Sequence, residues 1–491
     1  MHPKSVRTRF APSPTGYMHV GNLRTALYEY LIARSSDGQF IVRIEDTDQQ
    51  RQTEGAEELI FTTLEKVGLA HDEGPDVGGP YGPYVQSQRL DLYPGFAHKL
   101  IDSGHAYRCF CDKNRLESLR HDAASEEYAA SGYDRKCRNL SCHAVDELLA
   151  SGKPYVIRQK MPLEGTTSFE DAVFGRITVD NSELEDQILL KTDGFPTYNF
   201  ANVVDDHAMR ITHVVRGSEY LSSTPKYNLL YDAFGWEKPE YVHLPLIIGE
   251  DGRKLSKRHG AVSFSNLVEQ GYLPEAIINY LALLGWCPKE NRELYSLEEL
   301  CEAFSVDRIS KSPSVFDYQK LEWFNGEYIR KMAASEFLTY CEPWLAQVFG
   351  TIPPAAALLA ELLQPRVTRL SDIPDMIRFL AVHQQADVSL YTNKKSKSTL
   401  DSTIKVLPAV IKKLSALSQW DRESIHEALI SLAQELEMKN GQVMWPARIA
   451  VSGQSVTPGG AIEILLLLGK DESVSRLNKV YAFLSDQKEP S

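Results

Sequence analysis

The chain has 491 residues, of which 43% are hydrophobic and 24% charged, and its net charge at pH 7 is −13. This composition is typical of a soluble globular protein, and the length predicts about three domains or subdomains. The net charge argues against a protein that coats nucleic acid non-specifically, because such binding needs an excess of Lys and Arg.

The sequence offers no segment that predicts export or membrane insertion. Residues 1–7 lack the apolar core of a secretory signal. Aliphatic runs such as Ile464–Leu468 are far shorter than the ~18 residues that a membrane helix needs. We therefore expect a cytoplasmic protein, whose cysteines do not form a disulfide framework.

The amino-terminal region predicts a βαβ unit. Residues 6–10 read as a short strand, and Ala11–Gly16, with two prolines and a glycine, reads as a rigid loop. Asn22 or a neighbour is expected to cap the helix that follows. Its apolar residues recur at helical spacing: Leu23, Ala26, Leu27, Tyr30 and Leu31. Phe40–Ile44 then predicts a strand parallel to the first, with ligands at the carboxyl ends of both strands.

The remaining chain changes character twice. Residues 106–190 alternate turns with strands such as Tyr155–Arg158, which indicates an insertion between two halves of a nucleotide fold. The α/β pattern returns over residues 191–325. Residues 326–491 predict an all-helical module. Its helical stretches are Ala357–Leu363, Leu400–Leu417 and Glu423–Leu436.

Two separate segments carry the pattern of a phosphate site. His19-Val20-Gly21-Asn22 opens a helix, whose first N–H groups and partial positive charge favour phosphate. Far downstream, Lys254–Arg258 follows a glycine-rich turn, and lysines on such a loop can stabilise pyrophosphate as it leaves. Taken alone, the first segment could be an ordinary histidine whose hydrogen bonds are made within the protein, and the second could be a solvated cluster of charges. Together, without a P-loop, they predict one ATP pocket.

In these and several further motifs the chain resembles a bacterial-type glutamyl-tRNA synthetase, a class I enzyme. The opening of that family is matched by Arg9–Gly16, His19–Asn22 and Arg43–Asp48, and its KMSKS loop by Lys254–Arg258. The resemblance covers the whole length. Further matching stretches are Gly194–Asn199, Ala201–His207, Val215–Gly217, Phe316–Leu321 and Trp323–Asn325.

The resemblance implies a Rossmann-like α/β catalytic domain with an inserted α/β subdomain that binds the acceptor stem, followed by an all-α anticodon-binding domain. Residues 1–105 and 191–325 would form the two catalytic halves, the second containing the KMSKS loop and a stem-contact region. Residues 106–190 would be the insertion and 326–491 the anticodon-binding domain. The implied activity uses ATP with Mg²⁺ to form glutamyl-adenylate, only when tRNA is bound, and transfers glutamate to the 3′ end of tRNA(Glu). A monomer is expected.

The resemblance also assigns residues to the substrates. It places His19, Gly21, Asn22, Lys254, Ser256 and Lys257 in catalysis, and His19, Gly21 and Lys257 at ATP. It places Arg9, Ala11, Ser13, Glu45, Tyr198 and Arg216 at glutamate. Arginine suits a carboxylate because it donates two parallel hydrogen bonds, and Glu45 is suited to the α-ammonium. Without the motifs, structural ion pairs and a core tyrosine would explain the same residues.

A cysteine cluster predicts structural zinc, because nearby thiolates in a reducing compartment favour that metal. The proposed ligands are Cys109, Cys111, Cys137 and Cys142. Some members of the resembled family bind zinc here through C-x-C and C-x-H. This chain departs from them, because Asn139 stands where the histidine would be, so that Cys142 or His143 would complete the site. The alternative is a set of reduced thiols without metal.

The helical region carries local basic clusters, which are commonly solvated helix faces. The resemblance gives one of them a role: Arg366 would separate glutamate from glutamine anticodons, so that tRNA(Glu) alone is charged. The alternative is a non-discriminating enzyme that also charges tRNA(Gln).

Four other readings fit the motifs less well. A glutaminyl-tRNA synthetase differs at Ala11–Gly16 and has a β-barrel-like anticodon region. The shortened paralogue that glutamylates a tRNA base lacks the helical tail. Small-molecule nucleotidyltransferases seldom carry such a tail, and intact His19, Gly21 and Lys257 argue against a non-catalytic RNA-binding descendant.

Overall fold

The computed structural model of the protein describes residues 5–48, 52–124, 133–256 and 263–486. The chain forms two compact units. The first contains Met1–Val268 and Pro274–Tyr318, and the second contains Glu269–Leu273 and Gln319–Ser491. No helix in the described ranges is long and apolar enough to cross a membrane.

The first unit is built from both strands and helices. The strands are β1 (Arg7–Phe10), β2 (Gln39–Val42), β3 (Ala106–Cys109), β4 (Val156–Gln159), β5 (Thr166–Asp171), β6 (Gly175–Asp180), β7 (Ile188–Leu190), β8 (His213–Gly217), β9 (Glu240–Leu244), β10 (Ile247–Ile248) and β11 (Ser314–Val315). The helices are α1 (Val20–Arg34), α2 (Ala56–Lys66), α3 (Leu92–Asp102), α4 (Lys113–Ala124), α5 (Cys142–Ala150), α6 (Tyr198–Ala208), α7 (Thr224–Phe234), α8 (Phe264–Glu269), α9 (Pro274–Leu283) and α10 (Leu297–Ala303).

The predicted βαβ unit is confirmed. β1 and β2 are parallel, with Arg7 opposite Gln39 and Phe10 opposite Val42. α1 connects them and buries side chains around most of its circumference, as expected of a helix enclosed in a core. β8 continues the arrangement next to β1, since the Thr212 N–H donates to the Arg7 carbonyl at 3.0 Å.

A second sheet brings distant parts of the chain together in the order β6-β5-β9-β8. β8 and β9 are parallel, and Arg216 lies opposite His243. β5 belongs to the region that the sequence treats as an insertion, yet it pairs with β9 at Asp171 and Tyr241. β6, from the same region, pairs with β5 in this sheet, whereas β3, β4 and β7 form a separate antiparallel sheet in the order β3-β4-β7.

The described part of the second unit is almost entirely helical. Its helices are α11 (Tyr318–Lys331), α12 (Ala334–Phe349), α13 (Ala356–Leu363), α14 (Ile373–Ala381), α15 (Leu400–Ser415), α16 (Arg422–Glu435), α17 (Asn440–Ser452), α18 (Ala461–Leu468) and α19 (Lys470–Asp486). The three predicted helical stretches correspond to α13, α15 and α16. A core of aliphatic side chains such as Val406, Leu429, Ile449 and Leu477 holds α15 to α19 together.

The Leu370 N–H and the Ser371 hydroxyl donate to carbonyls of the short segment Glu269–Leu273, and one buried side chain adds further hydrogen bonds. The Asn325 amide donates to the carbonyls of Gly271 at 3.2 Å and Thr368 at 2.7 Å, and its oxygen accepts from the Leu273 N–H at 2.7 Å. Asn325 is fully buried, so these bonds are not replaced by water.

Candidate active site

A cleft of about 290 Å³ opens at the carboxyl ends of β1 and β8 in the first unit. It is lined by the loop after β1, the first turn of α1 and the hairpin after β10. Among its lining residues are these predicted ones: Arg9, Ala11, Ser13, His19, Gly21, Asn22, Glu45, Tyr198, Arg216 and Lys254. Ser256 is not among them, and Lys257 lies outside the described residues. The two segments of the predicted ATP pocket therefore do face one cavity.

The side chain of His19 caps α1, the role that the sequence left to Asn22 or a neighbour. The Gly21 N–H donates to His19 Nδ1 at 3.0 Å. Nδ1 is thus an acceptor, which leaves the proton of the neutral ring on Nε2. Burial, and then the charge of Lys254, lower the pKa of His19 and keep the ring neutral. The Gly21 N–H is therefore used internally, and the ring supplies a donor to the cleft instead.

The loop that precedes the KMSKS-like segment is a hairpin. Ile248 pairs with Lys254, and the Gly249 N–H donates to the Arg253 carbonyl at 2.8 Å. Gly252 has φ of 74°, a left-handed conformation that favours glycine at the turn. Lys254 Nζ lies 3.4 Å from Glu219 Oε1 at the cleft edge. The hairpin thus places one lysine of the motif over the cavity.

Arg9 is held by two carboxylates. Its Nε donates to Asp206 at 3.0 Å, and its Nη1 lies 3.3 Å from Glu29 Oε1. Burial opposes the charged guanidinium, but Asp206 and Glu29 outweigh it and raise the pKa of Arg9. For Asp206, burial alone would raise the pKa, but the guanidiniums of Arg9 and Arg43 outweigh burial and lower it. The charge of Arg9 is therefore largely compensated within the protein.

Glu45 has one satisfied and one unsatisfied oxygen. Its Oε1 accepts from Arg43 Nη2 at 2.8 Å, whereas Oε2 is buried without a hydrogen-bond partner among the described residues. Burial raises the pKa of Glu45, because a charged carboxylate with an unpaired oxygen is costly there. Burial and then the nearby Glu45 also raise the pKa of Tyr198. This arrangement suits a cationic ligand group.

Arg216 has no carboxylate within ion-pair distance in the described parts of the chain. Its Nη2 donates to Thr224 Oγ1 at 2.8 Å and its Nε donates to His243 Nε2 at 3.2 Å. The guanidinium carbon also lies 4.6 Å from the centre of the Tyr227 ring and 5.2 Å from that of Tyr220. These neutral partners orient the cation and leave its charge uncompensated.

Several cleft residues were missed by the sequence analysis. Glu29 lines the cavity, its Oε2 is buried without a partner among the described residues, and burial raises its pKa well above the usual value. It lies on α1 in a continuous apolar run, with no local motif to mark it. Arg43 and Asp206 did lie in recognised stretches, but their ion pair at 2.7 Å joins residues too distant in sequence for a pattern to reveal.

Three thiols of the cysteine cluster assemble. Cys109, Cys111 and Cys137 place their sulfurs within 4.8 Å of one another. The predicted fourth ligand is not part of this group, because Cys142 is exposed at the first turn of α5. The Tyr133 hydroxyl lies among the thiols instead, 3.2 Å from Cys109 Sγ and 3.7 Å from Cys111 Sγ.

Arg366 belongs to the second unit and is exposed in the turn after α13. Its Nη1 donates to the Leu362 carbonyl at 2.8 Å. That bond orients the side chain without burying it, so the guanidinium is accessible to a ligand.

Two family models match the chain and divide it near its unit boundary. The model described as "tRNA synthetases class I (E and Q), catalytic domain" matches residues 5–323. The model described as "Anticodon binding domain" matches residues 319–481. The fold and the cleft are thus those of a class I aminoacyl-tRNA synthetase with a mostly helical anticodon-binding domain.

Full-length relatives narrow the class. The chain is 53% identical to the glutamate–tRNA ligase of Clostridium novyi (strain NT) over 480 residues, which are 97% of this chain and 98% of that protein. It is 54% identical to the enzyme of Clostridium kluyveri over 472 residues, 96% of each. The chain belongs to the glutamate–tRNA ligase family.

A solved structure supports the same assignment. The glutamate tRNA ligase from Elizabethkingia meningosepticum, crystallised in complex with its amino acid, superposes with a TM-score of 0.90. The two sequences are 36% identical, and the match covers 98% of this chain and all of the other. The fold is therefore that of the family along nearly the whole chain.

Proposed function

We propose that this chain activates L-glutamate with ATP and transfers it to the 3′ end of tRNA(Glu). The observation that carries the proposal is the charge distribution of one cleft. Among the described residues, Arg216 presents a cation without a carboxylate partner, and Glu45 presents a buried oxygen without a donor. Free glutamate supplies the complementary groups, two carboxylates and one ammonium.

The residues on the glutamate side of the cleft each have a role in binding the amino acid. Arg216 receives a substrate carboxylate, and Arg9, although ion-paired, has a guanidinium that borders the same space. Glu45 receives the α-ammonium, with Ser13 beside it. Ala11 and the ring of Tyr198 form walls of the cavity. This assignment satisfies all three charges of glutamate with side chains that the cleft already aligns.

The ATP side of the cleft stabilises a phosphoryl transition state mainly by position and charge. The glutamate carboxylate attacks the α-phosphorus, the bond to the bridging oxygen breaks, and pyrophosphate leaves. His19 donates from Nε2 to a phosphate oxygen, while Gly21 and Asn22 leave room at the start of α1. Lys254 and Lys257 neutralise charge on the leaving pyrophosphate, and the Ser256 hydroxyl donates a hydrogen bond to it. Mg²⁺ that enters with ATP would offset part of the negative charge of the phosphates.

The domain roles follow the family. Residues 1–105 and 191–325 form the catalytic halves, residues 106–190 bind the acceptor stem and residues 326–491 read the anticodon. Bound tRNA is required for glutamate activation, and Arg366 restricts charging to tRNA(Glu). The enzyme works as a monomer in the cytoplasm.

The first test is aminoacylation by the purified chain with either glutamate or glutamine and either tRNA(Glu) or tRNA(Gln). Glutamate on tRNA(Glu), dependent on ATP, is expected to be the product. Attachment of glutamine, or no ATP-dependent charging, would contradict the proposal. Efficient attachment of glutamate to tRNA(Gln) would contradict only the proposed role of Arg366 and would leave the rest of the proposal standing.

The insertion is suited to a structural zinc ion. Cys109, Cys111 and Cys137 offer three thiolates within reach of one metal, and zinc in such sites takes four ligands in a tetrahedron. The Tyr133 hydroxyl occupies the remaining side of the group. When bound, zinc would hold β3 to the segment that carries Cys137.

Metal analysis of protein purified without chelator tests the zinc site. One zinc per chain is expected, and Cys137→Ser should lose it because a thiolate ligand is removed. Cys142→Ser is the matched control, since its sulfur is exposed and outside the group, and it should keep the metal. Well under one zinc in the wild-type protein would contradict the site.

A further inference from the structure

Three residues on adjacent strands form a buried chain of hydrogen bonds that ends at the cleft. Asp171 is on β5, His243 on β9 and Arg216 on β8. His243 Nδ1 lies 2.6 Å from Asp171 Oδ2, and His243 Nε2 accepts from Arg216 Nε at 3.2 Å. The side chains of Asp171 and His243 are fully buried. The sequence analysis assigned no role to either residue.

The hydrogen bonds determine the protonation of the ring. Arg216 Nε carries a proton, so the bond to His243 Nε2 requires Nε2 to be an acceptor. The ring proton must then be on Nδ1, where Asp171 Oδ2 accepts it. Burial lowers the pKa of His243 although Asp171 raises it, which favours the neutral ring that these hydrogen bonds require.

Asp171 is itself fixed by the backbone. Its Oδ1 accepts from the N–H groups of Val173 at 3.0 Å and Phe174 at 2.8 Å, and its Oδ2 also accepts from the His243 N–H at 3.1 Å. The carboxylate therefore cannot turn away from the ring without losing several bonds.

We propose that His243, held in its Nδ1–H tautomer by Asp171, is a positioning residue that orients Arg216 toward a carboxylate of the substrate. A neutral imidazole orients a guanidinium without neutralising it. A carboxylate in the same place would form an ion pair and compete with the substrate, as Glu29 and Asp206 do at Arg9. The inference deepens the proposed function and rests on Arg216 binding glutamate.

Thr224 completes the arrangement from α7. Its hydroxyl oxygen accepts from Arg216 Nη2 at 2.8 Å and lies 2.9 Å from the Tyr220 carbonyl, to which it donates. Arg216 is thus held at Nε and Nη2 by neutral groups, and Nη1 makes no hydrogen bond among the described residues. A bidentate substrate contact would use the terminal nitrogens that face the cavity.

The test compares His243→Leu, His243→Gln and the control His213→Gln in the full chain. Leucine removes the acceptor, and the KM for glutamate should rise about tenfold or more, the effect of losing a hydrogen bond to a charged group. Glutamine restores an acceptor oxygen, so its KM should return most of the way to the wild-type value. The KM for ATP should change less than about twofold in both, because His243 Nε2 contacts only Arg216 and the Thr224 hydroxyl among the described residues, and neither is assigned to ATP.

His213 provides a matched control in the same two strands. Its Nε2 lies 3.2 Å from Glu240 Oε2, and the two residues begin β8 and β9 and do not line the cleft. His213→Gln should leave the KM for glutamate unchanged. If His243→Leu also leaves it unchanged, or if the leucine and glutamine variants are equally impaired, the positioning role is wrong.

A second measurement does not depend on charging activity. Nitrogen-15 NMR of histidine-labelled wild-type protein, with His243→Gln used to assign the signal, should show a neutral ring protonated on Nδ1. A ring protonated on Nε2, or a doubly protonated ring at pH 7.5, would overturn the inference. A wild-type protein that charges no glutamate would contradict the proposed function. The NMR result would still show whether the ring of His243 has the tautomer that the hydrogen-bond chain requires.

Discussion

Arg9 and Arg216 line the same cleft in different electrostatic states. Arg9 is paired with Asp206 and Glu29, whereas Arg216 is held by a histidine, a threonine and aromatic rings. An arginine without a nearby carboxylate attracts an anion more strongly, because no internal ion pair has to be replaced. Replacing Arg216 should therefore weaken glutamate binding more than replacing Arg9 does.

The sequence located both arginines but could not distinguish them. Their motifs are local, whereas the partner of Arg9 at Asp206 is 197 residues away. Glu29 and His243 were missed for the same reason, since neither stands in a pattern of its own. Pairing state is a property of the folded chain, and it decides which motif residues remain available to a ligand.

His19 caps α1, and we propose that it also donates to phosphate, two roles that a substitution can separate. Asparagine is a favourable N-cap, so His19→Asn should keep α1 capped while removing the Nε2 donor. We expect kcat to fall by roughly a hundredfold, the effect of losing one preorganised donor, with little change in melting temperature. His19→Ala should lose both functions and cost about 1 kcal/mol of stability as well.

Aminoacylation kinetics and thermal melting of the two variants check this separation. Wild-type kcat in His19→Asn would exclude a role at phosphate. A melting temperature as low as that of His19→Ala would instead show that asparagine does not replace the ring's hydrogen bond to Gly21.

Elements with a local pattern were predictable, and elements joined by distant contacts were not. The alternation and spacing of apolar residues correctly gave β1, α1, β2 and the helices α13, α15 and α16. The pairing of β5 with β9 was not foreseen, because nothing near Asp171 marks Tyr241 as its neighbour. Cys142 was likewise predicted as a zinc ligand from its nearness in sequence to the other cysteines, but its helix exposes it.

Asn325 contributes part of the attachment of Glu269–Leu273 to the helical unit, beside the hydrogen bonds from Leu370 and Ser371. In Asn325→Asp a carboxylate oxygen would face the carbonyls of Gly271 and Thr368, which need a donor. We expect a loss of about 2–4 kcal/mol, since buried acceptors lose their bonds. Hydrogen exchange of the 269–273 peptide should accelerate accordingly.

Asn478→Asp is the control for that prediction. Asn478 is exposed on α19, so the same chemical change should leave the exchange of the 269–273 peptide unaltered. Equal protection in the wild type and in Asn325→Asp would show that other contacts hold the segment.

At the scale of the whole molecule, the two units correspond to two family domains. The catalytic match ends at residue 323 and the anticodon-binding match begins at 319, close to the unit boundary after Tyr318. The resemblance in short motifs was sufficient to predict this order of domains. It could not predict that Glu269–Leu273 joins the second unit, because that assignment depends on tertiary contacts.

Anticodon discrimination is expected to reside in the second unit. Replacing Arg366 with glutamine removes the cation that we propose to recognise a base, and charging of tRNA(Gln) should then rise roughly tenfold in kcat/KM. The KM for glutamate should not change. Arg378→Gln, which alters an exposed arginine on α14, serves as the control.

Charging assays with both tRNAs measure this effect. If the wild-type enzyme already charges tRNA(Gln) as well as tRNA(Glu), or if Arg366→Gln behaves like Arg378→Gln, Arg366 is not the discriminating residue.

The most direct test of the account is the KM for glutamate of Arg216→Gln, measured by tRNA-dependent aminoacylation beside Arg210→Gln. Arg210 also lies over a tyrosine ring, at 5.4 Å from the centre of Tyr81, but does not line the cleft. We predict a rise of roughly a hundredfold for Arg216→Gln, since losing one buried charge pair costs about 3 kcal/mol, with the KM for ATP unchanged. An unchanged KM for glutamate, or an equal rise in Arg210→Gln, would contradict the assignment of the cleft.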